Sequence, residues 1–256
     1  MLLAIDIGNT NTVVGVFDGD RLTNHFRVAS AHNLTADEAG LFLTGLLERM
    51  PVAPDRIDCV IIASVVPLLT FVYQETSQRY FNHDPIIVSH ETRLPISIDV
   101  DDPGQVGADR LANGAAGYHK FGGPVIVVDF GTATTFDVID EKGCYRGGVI
   151  IAGPESAMSE LARRAAKLFT VRIEKPRAVV GRSTAEALKS GFFYGTVGQV
   201  DHIVERIIEE TGFTAPAVIG TGGLAWGVES SSKYIRHIEP TLTLEGLRLI
   251  AEMNRS

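Results

Sequence analysis

Apolar runs separated by short polar turns set the pattern of this chain. Leu2 to Ile5 is continuously apolar and ends in Asp6-Ile7-Gly8-Asn9-Thr10-Asn11-Thr12. Val13 to Phe17 resumes the apolar run, and Asp18-Gly19-Asp20 turns it back. This predicts a β-hairpin over 2–17, with Arg21 to Val28 as a third strand. Thr35 and Glu38 have capping-box spacing, and the helix they start is predicted to turn Leu41, Phe42, Leu46 and Leu47 to the core before Pro51 and Pro54 end it. Ile57 to Ala63 is predicted as a buried strand. Leu68 to Tyr80 is predicted as a helix with Leu69, Val72 and Tyr73 inward, and Ile86 to Val88 as a short strand. Hairpin, strand, helix, strand, helix, strand is the order of a mixed α/β lobe.

After the irregular stretch 91–106, Gly107-Ala108-Asp109-Arg110 leads into a helix. Its inward positions Ala108, Leu111, Ala112, Ala115 and Ala116 are mostly small, which predicts close packing. Val125 to Val128 is a β-branched run typical of a central strand. It ends in Asp129-Phe130-Gly131-Thr132-Ala133-Thr134-Thr135. Phe136 to Ile139 returns, and Tyr145 to Ile151 adds a strand. Asp6, Gly8 and Thr12 match Asp129, Gly131 and Thr135 at one offset of 123 residues, each set in a strand, a hydroxyl-rich turn and a strand. The repetition predicts a duplicated unit: two lobes, 1–117 and 118–256, with Asp6 and Asp129 on opposite walls of a shared cleft. Beyond Pro154, helices are predicted over Glu155–Lys167 (Met158, Leu161, Ala162, Ala165 and Ala166 inward), from Ser183 to Gly191, over Val197–Thr211 and over Leu244–Met253. Thr170 to Ile173 is expected to be extended, and Val218-Ile219 forms a strand running into Gly220-Thr221-Gly222-Gly223.

The chain's 256 residues suffice for two such lobes. A net charge of −8 weighs against nucleic-acid or anionic-membrane partners, though not against a nucleotide whose phosphates a divalent cation neutralises. No apolar run approaches the roughly 18 residues of a membrane span, and no basic leader opens the chain, so a cytoplasmic protein is expected. Cys59 and Cys144 stand alone, and the seven histidines lack ligand spacing, which points away from a zinc site or a disulfide framework.

Four polar turns, 6–12, 107–110, 129–135 and 220–223, carry the candidate chemistry. Phosphoryl transfer needs a carboxylate to hold a cation, donors for phosphate oxygens, and a base to take the proton of the incoming hydroxyl. Asp6 and Asp129 suit the first role, and the Thr, Asn and backbone N–H groups of the turns suit the second. The sequence has no P-loop, protein-kinase signature or dinucleotide fingerprint. A structural role stands beside each assignment: an Asx turn at Asp6 or Asp129, a solvated pair at Asp109-Arg110, a tight turn at 220–223, an N-cap at Ser183-Thr184.

The ordered set of Asp6 to Thr12, Gly107 to Arg110, Asp129 to Thr135, Tyr145-Arg146-Gly147-Gly148, Ser190-Gly191 with Tyr194-Gly195, and Thr221 to Gly223 resembles the type III pantothenate kinases over essentially the whole chain. These belong to the acetate/sugar kinase, Hsp70 and actin superfamily. The resemblance implies an α/β fold of two actin-like, ribonuclease H-like lobes with mixed sheets. It also implies a homodimer that uses ATP, Mg²⁺ and a monovalent cation (K⁺ or NH₄⁺) to phosphorylate pantothenate. By that resemblance Asp6, Ile7, Gly8, Asn9, Thr10, Asn11, Thr12 and Val13 form the ATP-phosphate and Mg²⁺ site, with Thr132 a second phosphate contact. Gly107, Ala108, Asp109 and Arg110 hold pantothenate, Asp109 being the general base. Asp129 holds the monovalent cation, and Thr184 touches pantothenate from the partner subunit. The chain departs from the family at Val100, where many members carry tyrosine before Asp-Asn-Pro, and at Ala152-Gly153-Pro154, where many carry Pro-Gly. The alternatives are another small-molecule kinase of this fold, or a non-catalytic regulatory or accessory relative.

Overall fold

The computed structural model describes residues 1–50 and 52–255. The chain forms two units, Met1–His119 with Leu242–Ser256, and Lys120–Thr241. Pro51, expected to help end the first helix, lies outside the described residues.

In the first unit, β1 (Leu2–Ile7), β2 (Asn11–Asp18) and β3 (Arg21–Ala29) form an antiparallel meander. The chain continues through α1 (Ala36–Arg49), β4 (Cys59–Ser64), α2 (Pro67–Thr76), the two-residue strands β5 (Ile86–Ile87) and β6 (Ser97–Ile98), and α3 (Ala108–Phe121). The sheet order is β3-β2-β1-β4-β5, with β4 parallel to β1 and β5 parallel to β4. β1 and β4 are buried on both faces, which explains their continuous apolar sequences. Leu3, Ile5, Ile7, Val60 and Ile62 share one core with Ala39, Leu43 and Leu47 of α1 and with Leu69 and Tyr73 of α2.

The second unit contains β7 (Val125–Phe130), β8 (Ala133–Ile139), β9 (Cys144–Ala152), α4 (Pro154–Arg164), α5 (Thr184–Thr211), β10 (Ala217–Gly222), α6 (Ala225–Glu229) and β11 (His237–Ile238). Its strands lie in the order β11-β10-β7-β8-β9. β7, β8 and β9 are antiparallel, while β10 and β11 add parallel strands beside β7. This is the connection pattern of the first unit: a three-stranded meander, then parallel strands on the side of its first strand. Phe193, Val197, Val200, Val204 and Ile207 of α5 cover one face of this sheet, packing with Ile126, Val128 and Phe136.

The chain then returns to the first unit as α7 (Leu242–Asn254), which packs on β1, β2 and β4. The expected division at 117/118 places this helix in the second lobe; its contacts lie with the first. Strand alternation turns Leu2, Ala4, Ile61 and Ala63 away from the core of α1 and α2, toward the face where α7 lies. No helix among the described residues is long and apolar enough to cross a membrane.

Three local expectations need correction. In α1 the capping box of Thr35 and Glu38 is present, but Leu41 is exposed, and the buried stripe is Ala36, Ala39, Gly40, Leu43 and Leu47. The Tyr80 ring lies against Gly40, about 2.2 Å from where a side chain there would begin, and this close approach sets the buried face. In the second unit α4 stops at Arg164 and leaves Leu161 exposed, and the stretch from 165 to 183 forms neither helix nor strand. α5 is one helix of 28 residues where two are expected. Gly191, Gly195 and Gly198 obscure its periodicity in the sequence, but the buried residues from Phe193 to Ile207 keep one continuous stripe.

Candidate active site

The turn between β1 and β2 presents one side to solvent and binds the other to the protein. Asp6 is half-buried at the end of β1, opposite Val13 of β2. Asn9, Thr10 and Asn11 are exposed. Three carbonyl oxygens of the turn are occupied from within: Gly8 N–H donates to Asn11 O (3.0 Å), Ser30 N–H to Thr10 O (2.9 Å), and Ser30 Oγ to Gly8 O (2.6 Å). A turn whose carbonyls are held inward offers its opposite, amide-rich side to an anion. Thr12, expected among the phosphate contacts, is instead buried beneath the turn, with its hydroxyl 2.9 Å from Ser30 Oγ.

Gly107 to Arg110 opens α3. Asp109 is half-buried in the first turn, and the Arg110 N–H donates to its Oδ1 (2.8 Å). Burial pushes the Asp109 carboxyl above the ordinary carboxylate range; this N–H and the Arg110 charge counter only part of that effect. A side chain at Gly107 would begin 2.4 Å from Asp109 Oδ1, so any larger residue there would push the carboxylate from this position. The same position lies 3.5 Å from Cγ1 of Val65, whose N–H donates to Ile7 O at 3.1 Å. The residue after β4 thus joins the end of β1 to the start of α3, and the structure brings these two predicted turns together. In the loop just before α3, His90, Thr92, Leu94, Ile96, Ser97, Ile98 and Pro103 line a cavity of about 310 Å³.

In the second unit Asp129 is half-buried at the end of β7, paired with Thr135. The β10 end packs directly on it. Gly222 has φ +84°, and a side chain there would begin 2.7 Å from Asp129 Oδ1 and 2.6 Å from Phe130 O. Gly223 N–H donates to Phe130 O (3.1 Å). Gly222 thus makes room for Asp129, while Gly220 packs against Ile235 and Ile238, a division that sequence spacing could not reveal. Asp129 Oδ1 and Phe130 O therefore both face the backbone of Gly222, and a side chain at that position would crowd them. Thr132 is exposed at the tip of the turn, and its carbonyl accepts from Gly153 N–H (3.1 Å) and Ser156 Oγ (2.8 Å). Thr184 is exposed in the first turn of α5, next to the N-cap Ser183, whose hydroxyl accepts from the Glu186 N–H. Tyr145 is a core residue, donating to Asp137 at 2.9 Å.

The two turns correspond, with one correction. Gly8 N–H reaches Asn11 O, whereas Gly131 N–H reaches Ala133 O, so the second turn is one residue shorter. Thr12 pairs with Ile7, and the residue that pairs with Phe130 is Thr134. The counterpart of Thr12 is thus Thr134, not Thr135, and both are buried. Ser30 escaped the sequence reading because it lies outside the repeat, at the far end of β3.

No group of three or more His, Cys, Asp or Glu among the described residues could hold a metal alone. Mg²⁺ held chiefly by phosphate oxygens and water needs only one or two carboxylates from the protein, and Asp6 beside a donor-rich turn fits that role.

A model of the type III pantothenate kinase family matches residues 2–206. Type III pantothenate kinases from an Exiguobacterium species and from Geobacter sulfurreducens are each 45% identical over 255 residues, covering all of both chains. That of Brevibacillus brevis is 43% identical over 256 residues, with the same full coverage. Among solved structures, a conserved putative Baf family transcriptional activator from Campylobacter jejuni superposes with a TM-score of 0.57 at 21% identity, covering 98% of each chain. A putative N-acetylglucosamine kinase from Porphyromonas gingivalis (TM-score 0.54, 13% identity, 99% of each chain) and a ROK hexokinase from Thermus thermophilus (0.51, 14%, 98% of each) share the same mixed α/β architecture. Identity over the full length, together with the family match, establishes that this chain belongs to the type III pantothenate kinase family.

Proposed function

We propose that this protein transfers the γ-phosphoryl group of ATP to the primary hydroxyl of pantothenate, giving 4′-phosphopantothenate in the first step of coenzyme A synthesis. The reading is carried by one observation: a half-buried carboxylate, Asp109, held at a helix start that packs through Val65 against the end of β1 and the Asp6 turn. Asp109 is the general base. An alcohol needs no prior deprotonation, only an acceptor placed to take its proton as the P–O bond forms, and a carboxylate made more basic by burial is better suited to this. Gly107, Ala108 and Arg110 hold the acceptor beside it, and the Arg110 guanidinium suits the pantothenate carboxylate.

Asp6, Ile7, Gly8, Asn9, Thr10, Asn11 and Val13 receive the phosphates of ATP, with Thr12 supporting them from below and Thr132 adding a contact. Asp6 would hold Mg²⁺, which neutralises charge on the phosphates when bound. Asp129 would hold K⁺ or NH₄⁺ beside Gly222. We read the two units as copies of one actin-like lobe, a reading supported by their matching strand orders. We also place Thr184 near the pantothenate of a partner subunit in a homodimer. Because the reaction consumes ATP, it belongs to the cytoplasm.

A coupled ADP-release assay with pantothenate, Mg²⁺ and K⁺ tests this reading. Turnover that depends on pantothenate is expected. Turnover with a different alcohol and none with pantothenate would reassign the substrate; Val100, in place of an aromatic residue, makes the acceptor's affinity the quantity to examine.

A further inference from the structure

We propose that Ser30 is a positioning residue for the phosphate-binding turn, fixing the orientation of the peptide units on which nucleotide affinity depends. The proposal rests on the reading of 6–13 as the ATP-phosphate site.

Ser30 follows the end of β3 and touches the turn three times. Its N–H donates to Thr10 O (2.9 Å), its hydroxyl donates to Gly8 O (2.6 Å), and the hydroxyl of Thr12 lies 2.9 Å from its Oγ. Since Ser30 Oγ gives its proton to Gly8 O, it accepts from Thr12. Thr12 itself is buried, 1% exposed. A chain of two hydroxyls therefore runs from the buried Thr12 to the carbonyl of Gly8. Rotating the Gly8–Asn9 peptide would break the chain at its last link, so the chain fixes where the Asn9 N–H points.

The second unit shows which part of this arrangement is specific. There, Gly153 N–H donates to Thr132 O (3.1 Å), as Ser30 N–H does to Thr10 O. Gly153 thus occupies the position of Ser30. It has no hydroxyl, and a side chain there would begin 2.3 Å from Gly131 O. The backbone clamp is common to both turns. In the second turn a hydroxyl, Ser156 Oγ, reaches the clamped carbonyl of Thr132 (2.8 Å), whereas the hydroxyl relay that joins a buried threonine to the carbonyl of the turn's glycine is found, among the described residues, in the first alone. The counterpart of Thr12 shows the consequence: Thr134 Oγ1 is buried and finds no hydrogen-bond partner among the described residues. The relay is therefore not a requirement of folding this kind of turn. It is an addition at the turn whose exposed side carries Asn9, Thr10 and Asn11.

The test compares Ser30→Ala, Ser30→Thr and Asp6→Asn in the full-length protein, by steady-state kinetics and by calorimetric titration of MgADP. Ser30→Ala leaves Gly8 O without its donor and is expected to raise KM for ATP and Kd for MgADP by about tenfold, with KM for pantothenate within about twofold of the parent. Ser30→Thr keeps the hydroxyl and is expected to bind MgADP within about threefold of the parent. A purely structural role would instead lower melting temperature and active fraction while leaving Kd for MgADP unchanged. That result in Ser30→Ala, alongside an Asp6→Asn that does weaken MgADP binding, overturns the proposal and spares the assignment of the turn. If Asp6→Asn binds MgADP as the parent does, the assignment of the turn fails and the proposal with it.

Discussion

Asp109 concentrates the physical conflict of the site in one side chain. Burial raises its proton affinity, and the raised value has a definite sign in both activity and stability. The base must be ionised to accept a proton, so kcat/KM is expected to fall as pH drops through a value above that of an ordinary aspartate, measurable as the acid limb of a pH–rate profile. In stability the folded state keeps its proton longer than the unfolded state, so stability declines as pH rises from the unfolded value, about 3.9, through the raised one. Asp109→Asn removes that cost. It is expected to lower kcat by roughly 10²–10⁴ while leaving MgADP affinity intact. It should also melt above the parent at neutral pH, with the gap closing toward about pH 4. Loss of activity under tenfold would remove Asp109 as the base. At Asp129 the expectation is a faster reaction in K⁺ than in tetramethylammonium at matched ionic strength; equal rates would contradict a cation there. These acidic residues were legible in the sequence because a carboxylate at a strand end or helix start marks itself. Ser30 was not, because its role depends on a contact across 22 residues that no local pattern records.

Elements position these residues, and glycines set how closely the elements meet. α7 crosses α3 backbone to backbone: a side chain at Gly246 would begin 1.9 Å from Ala112 O, and Thr243 Oγ1 donates to the buried Asn113 at 2.8 Å. Asn113 lies one helical turn beyond Asp109, so this crossing anchors the helix that presents Asp109. Gly246→Ala is expected to cost about 1–3 kcal/mol in denaturant unfolding and to lower kcat more than it changes KM for ATP. Gly222→Ala, which introduces a side chain at φ +84° against Asp129, is expected to weaken the response to K⁺; an unchanged K⁺ dependence would separate β10 from the cation. The small residues of α3 did announce close packing in the sequence, but not the partner. Leu41 shows the opposite failure: its spacing fits a core stripe, yet the approach of Tyr80 to Gly40 sets which face of α1 is buried.

Across the whole molecule, the repeat at an offset of 123 residues was readable in sequence, and each unit builds a meander extended by parallel strands. The same reading placed α7 in the wrong unit, since chain order carries no information about where a terminal helix returns. Leu242, Leu244, Leu247 and Ile250 of α7 are buried, so truncation after Thr241 is expected to unfold the first unit, visible as loss of its cooperative thermal transition. Retention of that transition would show α7 to be peripheral. The fate of the phosphoryl group decides the proposed activity. With ATP labelled in its γ-phosphate, Mg²⁺, K⁺ and pantothenate, the label should appear as a monoester on the primary hydroxyl of pantothenate, with one ADP formed for each ester. Label found only in inorganic phosphate, or on another alcohol while pantothenate stays unmodified, would contradict it.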